Sequence, residues 1–194
     1  MSALQITFKQ AKHYTPANRE PKLIVLHTAE VSESLEGAES LMNACARGLI
    51  YPPGHPKAGQ PNPASWHYSV DANSICQSVH DWDVAHHAPG ANRTGVGIEL
   101  CGRARQTPAE WQDDYSFYVM ENAAKLSAHL STLHNIPLVF VPREVLKLPG
   151  ATGVTTHLEV SKAFGKSDHW DPGPHFPMPW FLQRAVHFRS LPNG

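Results

Sequence analysis

Cysteine is scarce in this chain of 194 residues: Cys45, Cys76 and Cys101 are the only three. An odd, scattered set of thiols makes no disulfide framework, and no CxxC pair is present to hold a structural zinc. That usage suits synthesis in a reducing compartment. An excess of either charge is also lacking, because 16 Lys and Arg stand against 17 Asp and Glu, for a net charge of -1. Without a basic tract, neither nucleic acid nor an anionic membrane is an expected partner. No apolar run approaches the roughly 20 residues that span a bilayer. The opening stretch MSALQITFKQAKHY has no charged segment leading into an apolar one, so no signal peptide is expected. Repeats, low-complexity tracts and linkers are missing too. The length suits a single domain, and hydrophobic residues, at 41%, suffice for a sizeable core.

Turn signals and apolar periodicity outline the elements. Residues 22 to 28, KLIVLHT, read as a buried strand, and residues 34 to 47 follow with helical spacing up to Gly48. Five prolines make residues 51 to 64 a long loop, of a length that is often functional. Residues 66 to 71 and 74 to 79 predict a hairpin, and TGVGIEL at 94 to 100 a second buried strand. Thr107-Pro108 with Glu110 predicts the start of the longest helix, running to about Leu133. A short strand at 137 to 141, a helical turn at 142 to 147, an irregular stretch from Asp168 to Pro179 and a helix over 180 to 188 complete the reading. Strands and helices mix along the chain, which predicts one α/β domain.

What is abundant is histidine, with 13 copies. A hydrolytic zinc site needs three protein ligands and an open position for water. His27 lies at a predicted strand end, where open α/β sheets place their ligands. His157 in VTTHLEV and Asp171 in HWDPGP complete a two-imidazole, one-carboxylate set of the kind that suits zinc. Asp168 is the rival carboxylate. Spacing alone does not single these residues out. Glu99, inside a predicted buried strand, is costly there unless it has a task.

The stretches IVLHTA, SWHYSVDANSICQSV, HHAPGANRTGVGIEL and THLEVSKAFGKSDHWDPGPHFPMPW occur in this order. Together they resemble the zinc amidases that cleave the N-acetylmuramoyl-L-alanine bond of peptidoglycan, over roughly residues 20 to 185. The family includes phage lysozyme-type amidases, cytosolic muropeptide-recycling amidases and animal peptidoglycan recognition proteins. The closing motif looks most like amidase domains of endolysins from phages of actinobacteria. The resemblance implies a mixed sheet of about five to six strands flanked by helices, with zinc at the strand ends in a groove. It implies one catalytic domain over 1–194, with its core at about 20–188, acting as a monomer. His27, His157 and Asp171 match the metal ligands, and Glu99 the catalytic carboxylate. His169 stands where many members have a transition-state lysine, and Trp66 where some have a tyrosine. His87 and Asn92 match the segment lining the muramyl-peptide groove, and Trp66 joins them as an expected substrate contact.

The implied chemistry is metal-assisted hydrolysis of the amide between N-acetylmuramic acid and L-alanine, with Glu99 moving the proton. An endolysin would be made in the host cytoplasm and act on the cell wall after release. A cytosolic recycling amidase is the alternative within the same chemistry. A non-catalytic peptidoglycan-binding module is the alternative outside it, and such members typically lack a metal ligand. All three ligand positions are filled here.

Overall fold

The computed structural model describes residues 4–191. An edge strand, β1 (Thr7–Phe8), comes first, and β2 (Leu23–Thr28) follows with every residue buried. A strand covered on both faces needs an unbroken apolar run, and LIVL supplies it before His27. Helix α1 (Gly37–Arg47) ends at Gly48, whose φ of 89° lies in the left-handed range. β3 (Leu49–Ile50) and β4 (Pro61–Asn62) pair antiparallel and close the proline-rich loop into a hairpin. β5 (Tyr68–Val70) and β6 (Ile75–Gln77) form the expected hairpin. Its turn is held by the Asp71 carboxylate, which accepts from Asn73 N at 3.0 Å and Ser74 N at 2.7 Å. Then come β7 (Gly95–Leu100), α2 (Asp114–His134), α3 (Arg143–Leu146), β8 (Gly153–Thr156), α4 (His157–Phe164) and α5 (Met178–Ser190).

Six strands make one mixed sheet in the order β1-β6-β5-β7-β2-β8, antiparallel only between β5 and β6. Alternation along the strands sorts the side chains between two layers. Ile24, Leu26, Val96 and Ile98 face the main core, where α2 and α5 pack. Leu23 and Val25 point the other way, onto Leu146, Val160 and Ala163 of α3 and α4. On that second face Ala38 and Met42 of α1 cover Cys76.

Several elements depart from the sequence reading. The Thr107–Glu110 capping box forms, with Thr107 N donating to Glu110 Oε2 at 2.7 Å and Glu110 N to Thr107 Oγ1 at 3.3 Å. It closes only a short 3-10 turn over Glu110–Gln112. Asp113 then breaks the helical path with a ψ of 165° and caps α2 itself, accepting from Ser116 N at 2.8 Å. Residues 137 to 141 make no full strand, because only Phe140 bridges to β8, opposite Val154. β8 and α4 fall in a stretch to which the sequence reading gave no element. Their junction is a T-x-x-E cap, with Thr156 Oγ1 accepting from Glu159 N at 3.2 Å. The sheet includes Thr7–Phe8, ahead of the expected core, and the last helix is longer than 180 to 188 at both ends. The first and last three residues of the expected domain lie outside the described residues.

Replacing Asp113 with Ala removes the α2 cap and is expected to cost about 1 kcal/mol. Thermal denaturation should show Tm falling by about 2–4 °C.

Candidate active site

Three neighbouring strands build the floor of the site at their C-terminal ends. His27 on β2 pairs in register with Glu99 on β7, so the two side chains lie on the same face of the sheet. On its other side β2 pairs Leu26 with Thr156 of β8. His157, one residue further, therefore arrives beside His27 as the first residue of α4. The loop after α4 carries Asp171, whose carbonyl accepts from Leu158 N at 3.0 Å and whose Oδ2 accepts from Thr28 N at 3.4 Å.

The four side chains converge. His27 Nδ1 is 3.0 Å from His157 Nδ1 and 3.3 Å from Asp171 Oδ2, and His157 Nδ1 is 3.2 Å from Asp171 Oδ1. Ligands held about 2.0–2.1 Å from a tetrahedral cation stand about 3.3 Å from one another. The observed spacing fits that requirement, and two imidazoles with a carboxylate suit zinc. Among the described residues this is the only group of three such side chains so arranged. Asp168, the rival carboxylate, is exposed and lies outside it.

The electrostatics follow from burial and from mutual contact. Burial alone would raise Asp171, yet hydrogen bonds from His157, His169 and His27 hold it far below the usual carboxylate range. Burial works against charge on His27 as well, but Glu99 and Asp171 outweigh it and raise this imidazole. His157 is lowered to about 4 by burial and by the neighbouring His27, which favours the neutral ring that a metal needs. Its Nε2 is buried with no protein partner. Glu99 Oε1 lies 3.9 Å from His27 Nδ1, and burial pushes its carboxyl up to about 7.

The remaining candidates fall in different places. His169 stacks on His157 with centroids 4.2 Å apart, and its Nδ1 is 3.5 Å from Asp171 Oδ1. Its side chain is 59% exposed, so it stands at the mouth of the site. A hydrogen bond to Asp171 raises its pKa. Trp66 lines the groove while its ring packs on Ala11, Cys45, Val79 and Ala85. Its indole N–H is buried without a partner. His87 is only 8% exposed, and both ring nitrogens are engaged inside the protein. Asn92 Oδ1 accepts from His87 N at 3.1 Å and Ala88 N at 2.6 Å. Both line the groove, where the sequence expected substrate contacts, and their polar contacts here are to the protein's own backbone and to His27.

A groove of about 650 Å³ runs over this floor. Residues that the sequence did not single out form one wall: Leu41 of α1, Leu49 of β3, then Tyr51, Pro52 and Asn62 of the hairpin. The proline-rich stretch had signalled function by its length. Its role as a wall depends on the β3–β4 pairing, which two-residue strands do not announce.

A family model for N-acetylmuramoyl-L-alanine amidase matches residues 17–174. No curated protein matches the chain. Among solved structures, the hydrolase AmiA of Staphylococcus aureus, in complex with its ligand, is similar with a TM-score of 0.64 at 20% identity, over 97% of this chain and 84% of that one. An AmpD derivative is similar with a TM-score of 0.61 at 20% identity, over 95% and 94% of the two chains. The N-acetylmuramoyl-L-alanine amidase LysC from Clostridium intestinale has a TM-score of 0.58 at 20% identity, over 95% and 99%. At these identities the likeness is one of fold.

Purified protein dialysed against zinc is expected to retain one ion per chain by elemental analysis. His157→Ala and Asp171→Ala should each lose that stoichiometric metal.

Proposed function

Because the chain belongs to the N-acetylmuramoyl-L-alanine amidase family, we propose that it is a zinc-dependent peptidoglycan hydrolase of the lytic, phage-endolysin kind. The observation that carries the reading is Glu99: a buried carboxyl, raised to about 7, set beside three converging metal-type ligands on the floor of a groove. The bond cut is the amide between the lactyl group of N-acetylmuramic acid and the amine of L-alanine.

His27, His157 and Asp171 would hold the zinc through two Nδ1 atoms and a carboxylate oxygen. When bound, zinc supplies Lewis acidity, polarising the scissile carbonyl and bringing the pKa of a water toward about 7. Glu99 takes the proton of the attacking water and returns it to the leaving amine. Its place in register with His27, beside the ligand trio, sets it where both proton transfers occur. His169 offers an N–H to the oxygen that gains charge on the lactyl carbon, from its place at the site mouth. Asp171, held far below the carboxylate range, keeps its negative charge throughout. His27 and Glu99 sit on paired strands, so base and metal keep a constant separation.

The lytic reading is supported by the likeness of the closing DHWDPGPHFP stretch to endolysin amidase domains and by the proline-rich hairpin that walls the groove. The whole chain, residues 1–194, is proposed as one catalytic unit acting as a monomer, made in the cytoplasm of an infected host.

Glu99→Gln is expected to keep zinc and lose about 10²–10⁴-fold in turnover, the usual share of a general acid–base group. Near-wild-type turnover would remove Glu99 from that role. Mass spectrometry of digested sacculi should show a free lactyl group and a free L-alanine amine. Release confined to soluble muropeptides would make the protein a recycling amidase instead.

A further inference from the structure

We propose that His87 and Asn92 are positioning residues for the metal site: Asn92 pins the backbone at His87, and His87 selects the His27 tautomer that leaves Nδ1 free for zinc. The inference rests on the zinc reading above and goes beyond it. It gives both residues, which line the groove, a role toward the metal site beside the substrate contact that the sequence suggested.

His87 Nε2 lies 3.3 Å from the carbonyl oxygen of Gly95. A carbonyl can only accept, so this nitrogen carries the hydrogen. Among the described residues no carboxylate touches the His87 ring, and nothing there stabilises a second proton. Its Nδ1 is therefore a bare acceptor, and it faces His27 Nε2 at 2.9 Å. His27 then donates from Nε2, so in the neutral ring that binds a metal the lone pair lies on Nδ1, the nitrogen facing His157 and Asp171. A metal-ligating imidazole needs this kind of partner on its second nitrogen, because the other tautomer puts a hydrogen where the metal should be.

The sheet is shaped to admit this ring. β7 presents Gly95, Gly97 and Glu99 on one face, and the His87 ring lies over the two glycines. A Cβ at Gly97 would meet His87 Cγ and Nδ1 at 2.6 Å, well inside contact distance. The ring meets His27 edge-on, with centroids 5.0 Å apart and planes at 78°. Asn92 completes the support, since one side-chain oxygen takes the backbone N–H groups of both His87 and Ala88.

The test is the zinc dissociation constant, measured by competition with a chelator of known affinity, for wild type, His87→Leu, His87→Asn and Asn92→Ala. His87→Leu removes the acceptor and should weaken zinc about 10–100-fold. His87→Asn puts an amide oxygen near the place of Nδ1 and should recover most of that loss. Asn92→Ala should weaken zinc in the same direction by less. Apoprotein Tm, read alongside, separates a general loss of folding from a loss at the metal. Wild-type zinc affinity in His87→Leu, with KM for the zinc-loaded enzyme raised instead, would overturn the proposal and leave only the substrate contact. Equal weakening in His87→Leu and His87→Asn would overturn it as well. Absence of zinc from the wild type would instead strike at the metal site itself, and the proposal would go with it.

Discussion

Parallel pairing of β2 with β7 on one side and β8 on the other is what the site depends on. Side chains alternate along a strand, so register decides which neighbours share a face. The pairing of Leu23 with Gly95 and Gly153 at the lower end carries up the sheet to set His27 beside Glu99, with His157 one residue past the last β8 partner. A slip of one residue in either pair would turn a ligand or the base into the opposite core, among Ile24, Leu26 and Ile98. The apolar packing that fixes register is thus also what aligns the chemistry.

Concentrating acceptors at one buried point is costly unless a cation joins them. Two imidazole nitrogens and a carboxylate within about 3 Å, beside a second carboxyl, have no purpose in a fold that only needs stability. The surroundings are arranged to hold that geometry. Asp171 is tied through its backbone to the start of α4, Thr156 caps the helix that begins with His157, and Glu159 is paired with Arg143. Each ligand is thus held by an element of its own, with few degrees of freedom left for the side chain.

A different constraint shapes the walls. The groove is bounded by a hairpin rich in proline, closed by two-residue strands, and by Leu41 in the middle of α1. At its floor the glycines of β7 let the His87 ring lie against the sheet. Strand-built floor and loop-built wall differ in kind: the floor gathers the charged and imidazole side chains, and the wall shapes the groove above them.

How much of this was legible in the chain itself can be judged from particular residues. The apolar run before His27, the glycine-bearing strand that holds Glu99, and the Asp71 turn are local signals, and each appears where periodicity put it. The order of motifs carried the likeness to the amidases and with it the expectation of His27, His157 and Asp171, which the structure brings together beside Glu99. The Thr156-x-x-Glu159 cap could have revealed α4, since it follows from spacing alone. Other features are non-local. Which face His157 takes depends on a strand about 130 residues earlier, paired with β8 in a register that propensity cannot express. His87 reads as a groove residue in sequence and lines the groove, but nothing local says that its ring will also meet two glycines of β7 and the far nitrogen of His27. The order of motifs along the chain pointed to the amidase family; packing across the sheet decided that His27, His157, Asp171 and Glu99 converge, because strand register is set by contacts far apart in sequence.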